Sequence, residues 1–288
     1  MPTYNGVVLT DVFAALLRVR FLQKKLWRGW YGYLARSYRG ADWTFMNYGF
    51  DDPKVGRLAL EAADERDRFC VQLYDYVTAS VDFEGTRVLE VGCGRGGGSS
   101  FIARYKKPQQ MTGVDLSGEA IAFCRKTHHA SGLDFRIGDA EQLPFADSLF
   151  DVVVNVESSH CYPNLKAFFR EVHRVLKPEG HFLYADLRER SGIAEWENSL
   201  MASGFSLLRE EDITPQVLSV LDQDNDRKMR LIDSLVPSVL RSSFQDFAGV
   251  RGSRIYEGFC TGSLRYLRFD ARKHEIIAPA RQKGRQMS

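Results

Sequence analysis

The stretch Val88-Leu89-Glu90-Val91-Gly92-Cys93-Gly94-Arg95-Gly96-Gly97-Gly98 holds the densest chemical information in the chain. Glycines at this spacing let a backbone turn sharply and approach a ligand closely, because no Cβ blocks the way. The run follows an apolar stretch and opens a helix-like one, the context in which such a motif has meaning. Taken alone, it is also compatible with a merely tight turn. Three acids sharpen it. Glu90 precedes the loop, where a carboxylate disfavours a diphosphate and suits a ligand with a positively charged end. Asp115 follows about 20 residues on, where an acid can accept both hydroxyls of a ribose. Asp139, in Gly138-Asp139-Ala140-Glu141-Gln142-Leu143-Pro144-Phe145, can accept from an adenine amino group.

A second set of residues follows another apolar run, in Asn155-Val156-Glu157-Ser158-Ser159-His160-Cys161-Tyr162-Pro163. Here His160 has an ordinary pKa near neutrality and is a candidate general base for a hydroxyl acceptor. The plainer reading is a histidine that hydrogen-bonds a carbonyl and shapes a pocket. Tyr48, in Asn47-Tyr48-Gly49, is a second candidate in a lid over the site, and simple lid packing is an equal reading. Tyr162 is weaker, and Cys93 and Cys161 read as pocket walls. His128 and His129 fall on an expected surface helix and carry no assigned role. The cysteines lack C-x-x-C spacing and no carboxylate cluster points to magnesium, so no metal is expected.

The elements that must hold these residues are legible as short apolar runs: Arg87–Val91, Met111–Leu116, Leu133–Ile137, Phe150–Val156 and His181–Leu187. Helix-like stretches alternate with them at Gly98–Arg104, Gly118–Ser131 and Leu165–Leu176, the last with Leu165, Phe168, Val172, Val175 and Leu176 on one face. Lys177-Pro178-Glu179-Gly180 reads as a turn. This alternation predicts a parallel sheet covered on both sides, whose ligands sit beyond the carboxyl ends of the strands. A helix at Ile193–Ser203 and a strand at Phe205–Arg209 follow. Residues 215–248 read as a helical insertion interrupted at Pro237, ahead of a last strand at Ser263–Phe269. The tail from Arg272 is basic and poor in apolar residues, as mobile termini are. Upstream, Val55–Ala79 reads as a helix. Residues 10–39 read as a basic amphipathic one, with Phe13, Leu16, Leu17, Phe21 and Leu22 at helical spacing.

Glu-x-Gly-x-Gly, the acid after the second strand and Gly-Asp-Ala-Glu-x-Leu-Pro-Phe resemble the class I S-adenosylmethionine-dependent methyltransferases (type 11). Within them the chain is similar to bacterial natural-product O-methyltransferases of the phthiotriolone and phenolphthiotriolone dimycocerosate type. Phe45-Met46-Asn47-Tyr48, the stretch around His160 and Tyr184-Ala185-Asp186-Leu187-Arg188 extend the similarity, to about residues 27–270. The resemblance implies an α/β, Rossmann-like sheet of order 3-2-1-4-5-7-6 with an antiparallel last strand, and S-adenosyl-L-methionine as cofactor. It implies that Gly92 and Gly94 pack against the cofactor's amino-acid end, which Glu90 anchors. Asp115 would hold the ribose with Leu116 against the adenine, Asp139 and Ala140 would read the adenine edge, and Asn155 would lie along the methionine portion. The resulting organisation is a helical lid over residues 1–80, also a candidate oligomerisation segment, and a methyltransferase domain over 81–288.

Bulk properties narrow the partners. A chain of 288 residues with 44% hydrophobic and 26% charged content reads as soluble and globular. A net charge of +2 leaves no field that would attract nucleic acid. No apolar run is long enough for a membrane helix, and five scattered cysteines favour a reducing, cytoplasmic setting. A basic amphipathic helix can rest on an anionic membrane surface, but docking on its own fold or a sister subunit, as in a homo-oligomer, is the commoner outcome. Aromatic content of 12% fits an apolar small-molecule acceptor. The leading expectation is O-methylation of a lipid or secondary-metabolite hydroxyl. C-methylation of an isoprenoid or aromatic product uses the same cofactor site. An NAD(P) oxidoreductase conflicts with Glu90, and a non-catalytic cofactor-binding protein conflicts with the intact loop and acids.

Overall fold

The computed structural model describes residues 43–274. Seven strands, β1 (Arg87–Val91), β2 (Gln110–Asp115), β3 (Leu133–Ile137), β4 (Phe150–Val156), β5 (Leu176–Glu189), β6 (Phe205–Asp212) and β7 (Leu264–Lys273), form one sheet. Its order is β3-β2-β1-β4-β5-β7-β6. The first five strands run parallel, and β7 is antiparallel to both β5 and β6. Consecutive strands β1, β2 and β3 step to one side, whereas β4 joins the opposite edge of β1. A crevice therefore opens beyond the carboxyl ends of β1 and β4, the switch point where α/β sheets bind ligands.

The central strands are apolar on both faces, and alternate residues enter different cores. Val88, Val152, Val154, Leu183 and Ala185 pack on one side with Val71, Leu73 and Val77 of α1 (Arg68–Val77) and with Phe101 of α2 (Gly97–Phe101). On the other side, Leu89, Val153, Phe182 and Tyr184 meet Phe168, Phe169, Val172 and Val175 of α4 (Leu165–Val175) and Trp196 of α5 (Ile193–Met201). Burying a side chain of that size contributes about 1.5–3 kcal/mol. Asn164 caps α4 by accepting from the Ala167 amide at 3.1 Å. Between these helices in sequence lies α3 (Gly118–Thr127), which packs Ile121 and Cys124 against Cys93 and Phe135.

Several elements differ from expectation for identifiable reasons. The helix expected over Val55–Ala79 is confined to a 3-10 turn, Glu65–Asp67, and α1: Val55 is 54% exposed, Gly56 takes a left-handed φ of 84°, and Leu58 and Leu60 meet the core only partly buried, from non-helical backbone. The helix read from Gly98 continues beyond α2 as a π-helical turn, Ile102–Lys106. Lys177-Pro178-Glu179-Gly180 is a bulge inside β5, where pairing with β4 jumps from Phe150↔Leu176 to Val152↔His181. The helical insertion comprises α6 (Thr214–Gln223), α7 (Asn225–Leu235) and α8 (Arg241–Ala248), and an unexpected α9 (Arg254–Thr261) precedes β7. Arg272 and Lys273 belong to β7 rather than to a tail, because Arg272 pairs with His181 and Ser206. The basic stretch over residues 10–39, and any oligomer or membrane contact through it, lies outside the described residues. Among the described residues no helix is long and apolar enough to cross a membrane.

Candidate functional site

At the end of β1 the chain turns through Gly92 (φ 73°) and Gly94 (φ 52°), a left-handed backbone that disfavours any side chain. The amides of Gly92 and Cys93 both donate to the Val114 carbonyl, at 2.8 and 3.0 Å. Asp115, at the end of β2, fastens the loop: its Oδ2 accepts from the Gly94 amide at 2.9 Å and its Oδ1 from the Ser117 amide at 2.8 Å. Burial raises the pKa of Asp115 against the lowering effect of these amides. A Cβ at Gly92 would lie 2.3 Å from Ser158 Oγ and 2.5 Å from the Tyr162 hydroxyl. Gly92→Ala should therefore cost about 2 kcal/mol or more and lower Tm by roughly 4–8 °C. A melting curve within 1 °C of wild type would contradict this account of the turn.

Gly92, Gly94, Asp115, Leu116, Asp139 and Ala140 line one continuous cleft, together with Tyr48, His160, Glu157 and Phe247. Glu90 and Asn155, expected beside the cofactor, do not line it. Glu90 is completely buried behind the loop, where the Tyr74 hydroxyl donates to it at 2.6 Å and the Ser99 hydroxyl also donates. Burial outweighs those bonds and raises its pKa to about 7. Its influence on the cleft thus passes through Tyr74, which does line it. Asn155 is equally buried and ties β4 to β1, its Nδ2 donating to the Val91 carbonyl at 2.8 Å and to Ser158 Oγ at 2.7 Å. Asp139 accepts from the Glu141 amide at 2.9 Å in an Asx turn.

A strap over residues 43–50 covers the loop. The Thr44 carbonyl accepts from the Gly97 amide at 3.2 Å, and the Tyr48 amide donates to Glu157 Oε1 at 2.7 Å. Arg95 is buried, donates to the Trp43 carbonyl and stacks 3.7 Å from the Phe123 ring centre. His128 is not on an open helix surface. It lies at the end of α3, half-buried, and its Nε2 meets the Arg95 carbonyl at 2.8 Å.

The catalytic candidates converge at the ends of β4 and β5. His160 sits in a 3-10 turn, Ser159–Cys161. Its Nδ1 lies 2.8 Å from Asp186 Oδ1, and its amide donates to Asp186 Oδ2 at 2.9 Å. Burial opposes protonation of His160, but Cys161 and Asp186 together hold its pKa well above the ordinary histidine range. Asp186 is completely buried and also receives the Ser159 hydroxyl. Burial would raise its pKa, yet His160 and Arg188 hold it well below the usual carboxylate range. Glu157, with a non-glycine φ of 48°, accepts from Tyr48 and, at 2.9 Å, from the Tyr266 hydroxyl. Burial raises its pKa to about 7. Asp186 and Glu157 stand in stretches that the sequence marks without giving either acid a role; Glu157 directly follows the apolar β4, a local signal, whereas Asp186 lies inside β5 and is marked only by its contact with His160.

The cleft suits the group that the resemblance implies. Asp115 presents a carboxylate already oriented by two amides, and the loop backbone itself forms the floor at Gly92 and Gly94. The family described as "Methyltransferase domain" matches residues 89–184. The phthiotriol/phenolphthiotriol dimycocerosates methyltransferase of Mycobacterium tuberculosis is 41% identical over 243 residues, covering 84% of this chain and 90% of that protein. The fatty-acid O-methyltransferase of Mycolicibacterium smegmatis is 42% identical over 237 residues, covering 82% of this chain and 85% of the relative. In fold, the chain is similar to geranyl diphosphate C-methyltransferase from Streptomyces coelicolor A3(2), with a TM-score of 0.60 at 19% identity over 83% of this chain and 95% of the other.

Proposed function

Because the chain belongs to the class I S-adenosylmethionine-dependent methyltransferases, we propose that it methylates a hydroxyl of an apolar lipid or polyketide-like acceptor, with His160 as general base. The observation that carries this reading is the His160–Asp186 pair, 2.8 Å apart at the end of a cleft whose other end holds Asp115 and Asp139. When bound, S-adenosylmethionine supplies a methyl carbon on a positively charged sulfur. Asp115 would hold its ribose, Leu116 would cover the adenine, Asp139 and Ala140 would meet the adenine edge, and Gly92 and Gly94 would bed the amino-acid end. Glu90 and Asn155 are positioning residues in this scheme. Asp186 engages Nδ1 of His160, which directs Nε2 to the acceptor's hydroxyl proton and stabilises the imidazolium that results. Tyr48, with Phe247 of α8, closes the apolar end as a lid.

The test is transfer of a deuterium-labelled methyl group to a long-chain hydroxylated lipid. Mass reports the transfer, and the carbon shift of the new methyl separates O- from C-methylation. A methyl on carbon overturns the O-methylation reading. The pH profile tests the base. Only unprotonated imidazole accepts a proton, so kcat should rise with pH through an apparent pKa above the ordinary value of about 6.5. Asp186→Asn removes the charge that favours the imidazolium and should shift this limb to lower pH by about a unit or more. A limb that stays in place in Asp186→Asn would detach His160 from the titration.

A further inference from the structure

Glu157 follows the last residue of β4 and opens the turn that carries His160. Among the described residues four non-glycine positions take positive φ, Lys107, Ser148, Glu157 and Glu179, and of these Glu157 lines the cleft. Such a backbone persists where its surroundings over-determine it, commonly at ligand sites. Here the determinants are the Tyr48 amide and the Tyr266 hydroxyl, and both donate to the same oxygen, Oε1. None of the described residues donates to Oε2. The carboxylate is thus held by one oxygen while the other is uncommitted in the wall that Tyr48, His160, Cys161 and Phe247 share.

Charge decides what that oxygen will accept. The cleft wall carries Asp115, Asp139, Glu141 and Glu157 against Arg95 and His160. Arg95 is fixed on the Trp43 carbonyl and the Phe123 ring, and His160 is already matched by Asp186. Arg188, the other cation near Asp186 at 3.4 Å, lines a separate groove. Both donors to Glu157 are uncharged groups; His160 and the buried Lys228 act on it electrostatically, but neither forms an ion pair with it, and among the described residues no other does.

Resting on the acceptor end assigned above, we infer that Glu157 is a specificity-determining residue, which admits an uncharged lipid bearing a hydrogen-bond donor and rejects one whose polar end is a carboxylate. A phenol or alcohol offers Oε2 a hydrogen, whereas a fatty-acid carboxylate places a like charge against it in a partly dehydrated cleft.

Binding separates this inference from the proposed reaction, because it needs no turnover. Calorimetry with 4-dodecylphenol and with dodecanoate, in the presence of S-adenosylhomocysteine at pH 8.5, keeps the phenol neutral and Glu157 ionised. Wild type should bind the phenol at least tenfold more tightly than the fatty acid. Glu157→Gln keeps an oxygen for Tyr48 and Tyr266 while removing the charge, and should narrow the gap to under threefold by strengthening the fatty acid. Glu157→Asp, which retains the charge, should keep most of the gap. An equal gap in wild type and Glu157→Gln overturns the inference. So does a tenfold loss of S-adenosylhomocysteine affinity in Glu157→Gln, since that would place the residue at the cofactor end.

Discussion

Replacing His160 with alanine is expected to lower kcat by roughly 10²–10⁴ while leaving the affinity for S-adenosylhomocysteine within about threefold. The size follows from the role: a positioned base acts on the proton in the transition state, and its loss is not replaced by water at the same geometry. The selectivity for kcat follows from placement. His160 stands in the turn after β4, whereas the groups assigned to the nucleoside, Asp115 and Asp139, follow β2 and β3. Truncation also leaves Asp186 completely buried without its imidazole, so a modest loss of stability should accompany the kinetic effect; the Ser159 hydroxyl and Arg188 still face that carboxylate. His160→Asn retains a polar group and restores little, since an amide does not accept the proton. A kcat within fivefold of wild type would return His160 to the plain role of shaping the pocket. Alignment of the reactants alone would then account for the rate.

Asp115→Ala is expected to weaken S-adenosylhomocysteine binding by roughly 10²–10⁴, read by calorimetry. Hydrogen bonds to charged groups contribute about 1.5–3 kcal/mol each, and this carboxylate is assigned two ribose hydroxyls. Removing it also frees the amides of Gly94 and Ser117, which Asp115 binds at 2.9 and 2.8 Å, so the glycine turn keeps only the Gly92 and Cys93 amides on Val114 as its hydrogen bonds to β2. Asp115→Asn separates the contributions. It keeps one acceptor oxygen and the shape, and should fall between wild type and alanine. The acceptor end is independent of this carboxylate, so kcat at saturating cofactor should change less than affinity does. Binding of the alanine variant within threefold of wild type would remove Asp115 from the nucleoside site.

Much of this protein is legible from sequence because the signals are local. The runs Leu133–Ile137 and Phe150–Val156 coincide with β3 and β4: β4 is buried along nearly all its length, whereas β3, an edge strand, alternates Leu133, Phe135 and Ile137 with Asp134 and Arg136 and buries only Phe135. The glycine turn is equally local: each left-handed position is a property of one residue and its neighbours. The helix at 55–64 is the instructive miss, where Gly56 breaks the backbone and Leu58 and Leu60 meet the core only partly buried, leaving most of the stretch exposed. Exposure there is a property of the whole fold.

Sequence alone determined the strand alternation, the glycine loop, the acids Asp115 and Asp139 at or just after the ends of the next two strands, and His160 after a fourth, because each depends on its own local run of residues. Tertiary structure decided which polar side chains face the cleft. Glu90 and Asn155 turn behind the loop, while Glu157 turns into the cleft to meet Tyr48 across 109 residues of chain, and Asp186 reaches His160 across 26. The physical reason is the pleat and register of the sheet. Whether a carboxylate at a strand end enters the crevice or the core depends on which neighbouring strand it lies beside, and that is set only once β1, β4, β5 and β7 are packed together.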